Sequence, residues 1–244
     1  MENNQRDFAY ENVMQLDDSQ TSSRKFIANV FLWMFIALGL SAFTAYWFAH
    51  DVNLLTTLID VNTGHRTGLG TVVMFSPFAF ILVMSFGINR ISTPVLIFLF
   101  LAFSAVMGMS LSFIFLAYTS ASIFGVFVTA SVVFGVMAIG GYVTNKDLTS
   151  FGGLMVMGLV GIIIASFANM FLKSEGLDKA ITYISVAVFV GLTAYDVQKL
   201  KRIGAGLEYG SAAAGKMAIM GALTLYLDFI NLFLSLLRLF GRRR

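Results

Sequence analysis

One carboxylate interrupts the stretch GALTLYLDFINLFLSLLRLF (Gly221–Phe240), which is otherwise mostly Leu, Phe, Ile, Ala and Tyr: Asp228. A carboxylate at membrane depth is costly, and the working hypothesis for one is a site that handles ions, protons or partner helices. Thr224, Asp228, Asn231 and Ser235 fall at i, i+4, i+7 and i+11, with Gly221 one turn earlier. That spacing draws one polar stripe along a helix. Lipid penalises such a stripe, so it is expected to face the bundle interior or a water-filled cavity. The preceding apolar span ends in a second carboxylate, TAYD (Thr193–Asp196), behind Ser185. Two carboxylates that meet can share one proton and titrate as a coupled pair.

Each residue also has a plainer reading. Asp196 precedes Gln198 and Lys199 and could be an ordinary solvated helix end, where the helix dipole opposes its charge. Asp228 could be polar glue between helices. Arg90 follows a span and reads first as an orientation signal. Contact between the aspartates also meets a geometric obstacle. Asp228 lies 11 residues past Met217, about 16 Å along a helix, while Asp196 reads as lying near the membrane surface. Contact requires the last helix to start lower or tilt, or a cavity to enter the bundle.

The elements that must position these groups follow from composition. Of 244 residues, 58% are hydrophobic and 12% charged, with mean hydropathy +0.83. A soluble core does not hide so much apolar surface, so lipid is the expected solvent. Seven apolar runs approach or exceed the roughly 20 residues a crossing needs: Phe26–His50, Leu69–Gly87, Pro94–Thr119, Ser122–Val143, Leu154–Leu172, Ala180–Asp196 and Met217–Phe240. Long continuous runs mean helices, since a membrane barrel shows short alternating segments. The expected organisation is a flexible polar arm over residues 1–25 and a seven-helix transmembrane domain over 26–244. The arm has no early apolar stretch of the signal-peptide kind, so the first span is expected as an uncleaved anchor.

Lys and Arg in short loops give the orientation. With the N-terminus in the cytoplasm, nine fall inside (Arg6, Arg24, Lys25, Arg90, Lys146, Lys199, Lys201, Arg202, Lys216) and three outside (Arg66, Lys173, Lys179). The tail, Arg238 and Arg242–Arg244, breaks this rule if the last helix crosses fully. Small residues at Ser104-Gly108-Ser112 and Ser131-Gly135 suggest close helix packing.

Several chemistries are excluded or weakened. There are no cysteines, hence no disulfides, thiolate metal sites or cysteine nucleophiles. The two histidines, His50 and His65, sit at a span end and in a loop, which leaves no buried base for a serine-type intramembrane protease. No HExxH, EF-hand loop or phosphate-binding glycine loop is present, so no cofactor and no tight calcium cage is expected. The basic balance suits membrane ends and loops; no nucleic-acid partner is expected.

The stretches GLTAYDVQKLK (Gly191–Lys201) and ALTLYLDFINLFLSLLRLFG (Ala222–Gly241) resemble the transmembrane Bax inhibitor motif family in its bacterial form. The number and spacing of spans extend the likeness over the hydrophobic region. The resemblance implies a seven-helix bundle with the last helix near its centre and no enzymatic activity. It implies a pH-sensitive calcium leak across a bacterial inner membrane, calcium being the transported ion. Asp196 and Asp228 would be the proton-sensing pair and a weak calcium site, Arg90 their partner, and Thr224, Asn231 and Ser235 residues of the ion path. A proton-coupled transporter of a small solute, which the same carboxylates could serve, is one rival to this, and two more stand beside it. One is a non-transporting membrane partner that modulates a membrane protease or stress survival, with the polar arm as its contact segment. The other is an intramembrane aspartyl protease, which Tyr195-Asp196 fits. Leu225-Tyr226-Leu227 before Asp228 lacks the Gly-x-Gly of those enzymes, and no proline follows Pro94.

Overall fold

The computed structural model describes the backbone of residues 2–60, 63, 65–208 and 210–244, with side chains from residue 20 onward. The chain is an all-α bundle in which seven helices are long and apolar enough to cross a membrane. α1 (Glu2–His50) takes the polar N-terminal run and the first span in a single helix. α2 (Val52–Leu58) is a short helix started by Asp51, whose carboxylate accepts the backbone N–H groups of Asn53 and Leu54. α3 (Gly68–Gly87) is the second span. The third is broken: α4 (Thr93–Leu111) yields at Ser112-Phe113 to α5 (Ile114–Ala117). α6 (Ser120–Val143), α7 (Thr149–Leu172), α8 (Glu175–Ala205) and α9 (Ala212–Phe240) complete the bundle.

α9 packs against α1, α4, α6 and α8, while α3 and α7 lie outside on α4 and α8. α8 and α9 are the most buried spans. The least covered face of α9 carries Thr224, Leu227, Asn231, Leu234 and Arg238, all exposed or half-buried. Its 29 residues measure about 43 Å, more than the roughly 30 Å hydrocarbon core. The tail beyond it docks at the far end of the bundle. Thr119 N–H donates to the Arg242 carbonyl (3.2 Å), Arg244 N–H to the Ala117 carbonyl (3.1 Å), and Arg242 N–H to Ser122 Oγ (2.9 Å). The other end holds the α8–α9 turn and the α3–α4 turn, joined where Lys216 Nζ donates to the Ile88 carbonyl (3.1 Å). The last helix therefore crosses completely, and the arginine tail ends opposite the α8–α9 turn despite its charge.

Two glycines set the interhelix spacing. A Cβ on Gly108 would collide with Thr44 Oγ1 and the Ser41 backbone, where α4 meets α1. A Cβ on Gly141 would collide with the Ala194 backbone, where α6 meets α8 two residues from Asp196. The expected small-residue face at Ser131-Gly135 is not a packing face: Ser131 is exposed and nothing lies within 4 Å of a Cβ on Gly135. The buried line on α6 runs instead through Ala130, Phe134, Ala138 and Gly141.

Gly141→Ala should therefore lower the stability of the purified protein by about 1–3 kcal/mol, as overpacking does. Gly135→Ala should stay within about 0.5 kcal/mol of wild type. Thermal unfolding in detergent compares the two. Equal effects would contradict the assigned contact.

Candidate functional site

α8 continues nine residues beyond Asp196 to Ala205, so Asp196 is not at a helix C-terminus as the sequence suggests. The extra turns are polar along their outer side but are held by protein. Ser23 Oγ donates to the Lys201 carbonyl (2.8 Å), and Phe26 presses on Gly204. α9 starts at Ala212, five residues before the expected Met217. The helices run antiparallel, with Gly221 against Leu200. Both extensions carry the aspartates away from the turn, and this removes the obstacle to contact: Asp196 is nine residues, about 14 Å, inside the end of α8.

The Asp196 and Asp228 carboxyl groups face each other across the α8–α9 seam, close enough for their charges to interact. Both are buried, at 9% and 5% exposure. Asp228 Oδ2 is buried with no hydrogen-bond partner among the described residues. An ionised carboxylate only accepts, so two of them form a hydrogen bond only when a proton lies between them. Among the described residues no three His, Cys, Asp or Glu side chains converge. The pair alone offers a divalent cation at most four carboxylate oxygens, short of the six to eight calcium takes, so water would have to supply the rest.

The rest of the predicted constellation is only partly assembled. Ser235 is buried, Asn231 half-buried and Thr224 exposed, so the stripe lies along the rim of the open face of α9 and not wholly inside. Each member turns back on its own helix: Thr224 Oγ1 donates to the Met220 carbonyl, Asn231 Nδ2 to Leu227, and Ser235 Oγ to Asn231. Such back-bonding satisfies the polar group without a partner helix. Arg90 lies exposed in the turn after α3, and its side chain makes no hydrogen bond or ion pair among the described residues. The structure does not bring it to the aspartates. The cation whose charge reaches Asp196 is Lys199, three residues along α8, its Nζ 6.0 Å above the Tyr195 ring.

Sequence reasoning missed the polar braces around the pair. Tyr226, fully buried, joins its hydroxyl to Ser41 Oγ (2.7 Å), and Ser41 Oγ donates to the Ser104 carbonyl (2.6 Å). Since Ser41 has one proton and gives it to Ser104, Tyr226 is the donor to Ser41. This chain ties α9 to α1 and α4. The signal for it was a lone phenol in an apolar helix, which needs a partner when buried. Gln198, two residues past Asp196, accepts from the Leu148 N–H (2.9 Å) and donates to the Lys146 carbonyl (2.8 Å), which fixes the α6–α7 loop to α8. Arg202 completes that strap by pairing with Asp147 at 2.7 Å. Outside the spans, bonds from the Thr149 hydroxyl and then from Arg202 hold the Asp147 carboxyl below the usual carboxylate range.

Aromatic side chains fill the α6–α9 seam beside the pair. Phe229 stands edge-on to Phe127 and Phe134, and Phe233 edge-on to Phe127, with centroids 5.3 to 5.9 Å apart. Beyond them an apolar cavity of about 440 Å³ opens between α1, α5, α6 and α9, with Ile230 and Phe233 on its wall.

Residues 23–244 match the family model described as Inhibitor of apoptosis-promoting Bax1. The inner membrane protein YbhL of Escherichia coli K12 is 46% identical over 220 residues, covering 90% of this chain and 92% of its own length. A protein of Rickettsia prowazekii is 41% identical over 227 residues (91% of each chain). A membrane protein of Streptococcus pyogenes is 35% identical over 226 residues (92% of this chain, 95% of its own).

Asp228→Asn keeps an N–H donor for Asp196 and should unfold near the wild-type temperature at neutral pH. Asp228→Ala strands a buried carboxylate and should lose about 1–3 kcal/mol. If both lose equally in thermal unfolding, the seam is not held by a hydrogen bond between positions 196 and 228.

Proposed function

This chain belongs to the Bax inhibitor family of multi-pass membrane proteins, and from that premise we propose that it passes calcium in a pH-sensitive leak gated by Asp196 and Asp228. The observation that carries the reading is the approach of two buried carboxyl groups from adjacent helices, with Asp228 Oδ2 unpartnered among the described residues. Family resemblance supplies calcium as the ion. It also, without a contact here, keeps Arg90 in the reading. The excess of Lys and Arg at the α8–α9-turn end supports a cytoplasmic N-terminus and an inner-membrane location.

At low pH one proton between the carboxyls makes the hydrogen bond that holds α8 to α9, and the phenylalanine cluster on α6 and α9 stays closed. At higher pH both groups ionise. Unit charges about 4 Å apart repel by roughly 4 kcal/mol at an effective dielectric of 20. That approaches the roughly 5.5 kcal/mol that turns a two-state equilibrium from 1:99 to 99:1. Repulsion of this size is enough to part the seam. A hydrated divalent cation offsets it transiently, and weak binding of this kind is what conduction requires. The rim formed by Thr224, Asn231 and Ser235 then offers oxygen and amide groups to the passing ion.

Calcium uptake by proteoliposomes should rise with pH in wild type, by up to about tenfold per pH unit across the titration of one proton. Asp228→Asn should remove or strongly shift this dependence. Absence of calcium flux at every pH, or the same profile in the folded variant, would sink the gating reading and favour a non-transporting partner protein.

A further inference from the structure

A second cavity, of about 490 Å³, lies at the α8–α9-turn end of the bundle, between α1, α8 and the segment joining α6 to α7. Arg24, Lys201 and Arg202 line it together with Tyr142, Thr144 and Asn145, and no acidic side chain is among its lining residues. Its walls are built. Ser23, on the α1 side, is buried and bonded to the Lys201 carbonyl. Lys201 is half-buried, its Nζ donating to the Tyr142 carbonyl (2.8 Å) and lying 4.9 Å above the Tyr142 ring. Arg202 is turned toward Asp147, Thr149 and Gln198.

The cationic capacity of this cavity is only partly used. Asp147 offsets Arg202 from outside the lining. Lys201 spends one of its three donors on Tyr142. Arg24 is exposed, and its guanidinium has no partner among the described residues. Among the described residues no acidic side chain compensates the other two positive charges at this concavity, which lie beside the Asn145 amide and the Thr144 hydroxyl. An oxyanion with several acceptor oxygens suits such a set, because charged N–H donors bind phosphate oxygens by short, strong, often paired hydrogen bonds. A planar carboxylate would leave more of the donors idle.

We propose that this cavity is a binding site for a phosphate group, carried by either a lipid headgroup or a soluble phosphate compound. The bound group joins α1 at Arg24 to α8 at Lys201, two turns or less from Asp196. It thereby fastens the N-terminal part of α1 to the same stretch of α8 that holds the carboxyl pair. No step of the calcium reading is needed for this site.

The full-length protein supplies the test. In an uncharged detergent, inorganic phosphate at constant ionic strength should raise the thermal midpoint saturably if the source is soluble. In nanodiscs, phosphatidylglycerol should raise it relative to phosphatidylcholine if the source is a headgroup. Arg24→Gln, at an exposed position without a partner among the described residues, should weaken whichever response appears by about tenfold in apparent affinity. Lys179→Gln, at the opposite end, should leave it unchanged. A saturable response in either arm that Arg24→Gln weakens and Lys179→Gln spares supports the site. No response in both arms, or one that Arg24→Gln leaves intact, overturns it.

Discussion

A carboxyl buried in a bilayer has to be accommodated within the protein, and in this chain Asp228 faces the Asp196 carboxyl across the α8–α9 seam. Lipid offers no compensation for an unpaired charge, so the position of α9 depends on where α8 puts its own acid. The antiparallel seam meets that demand through the length of both helices. α8 runs on to Ala205 and α9 begins at Ala212, so the pair sits well away from the turn that connects them. Gly141 lets α6 come against α8 beside Asp196, and Phe26 packs over Gly204 farther along. The seam is thus clamped on both sides of its one titratable contact.

The remaining polar groups at membrane depth are treated differently. Tyr226, Ser41 and Ser104 close a chain in which each proton has an acceptor, which binds three helices with no group that titrates near neutrality. Thr224, Asn231 and Ser235 fold back onto carbonyls of their own helix. Of these groups only the aspartate pair has a bonding state that depends on a proton. In the proposed gating, that difference would let pH act on α8 and α9 without loosening α1 or α4. The aromatic cluster of Phe127, Phe134, Phe229 and Phe233 joins α6 to the same helix that carries Asp228.

Much of this was legible in the sequence because lipid imposes a coarse rule: twenty apolar residues make a crossing. The seven spans, the stripe on the last helix and the two acids all follow from it. The rule fails where protein, not lipid, covers a helix. The apolar run of the sixth span stops at Asp196, but Gln198, Lys201 and Arg202 continue the helix because α1 and the α6–α7 loop bond to them. Small residues were ambiguous for a similar reason. Gly108 and Gly135 look alike in sequence, and only the neighbour distinguishes the contact with Ser41 and Thr44 from a face open to lipid. Arg90 matched by position after the second span, yet a turn of the chain leaves it exposed, and the nearer cation, Lys199, carried no signal beyond ordinary orientation. Charge counting left the side of the tail open, and hydrogen bonds to residues 117–122 fix Arg242–Arg244 at the far end.

The central claim is that one proton, held between Asp196 and Asp228, joins α8 to α9. Infrared titration of the protonated-carboxyl C=O band in lipid tests it most directly, with Asp196→Asn and Asp228→Asn as references. The account predicts a band that disappears as the pH rises, equivalent to at most one buried carboxyl when the pair shares its proton, and absent over that range in each single variant. A wild-type spectrum without such a band at any pH, or one that both variants retain, would contradict it.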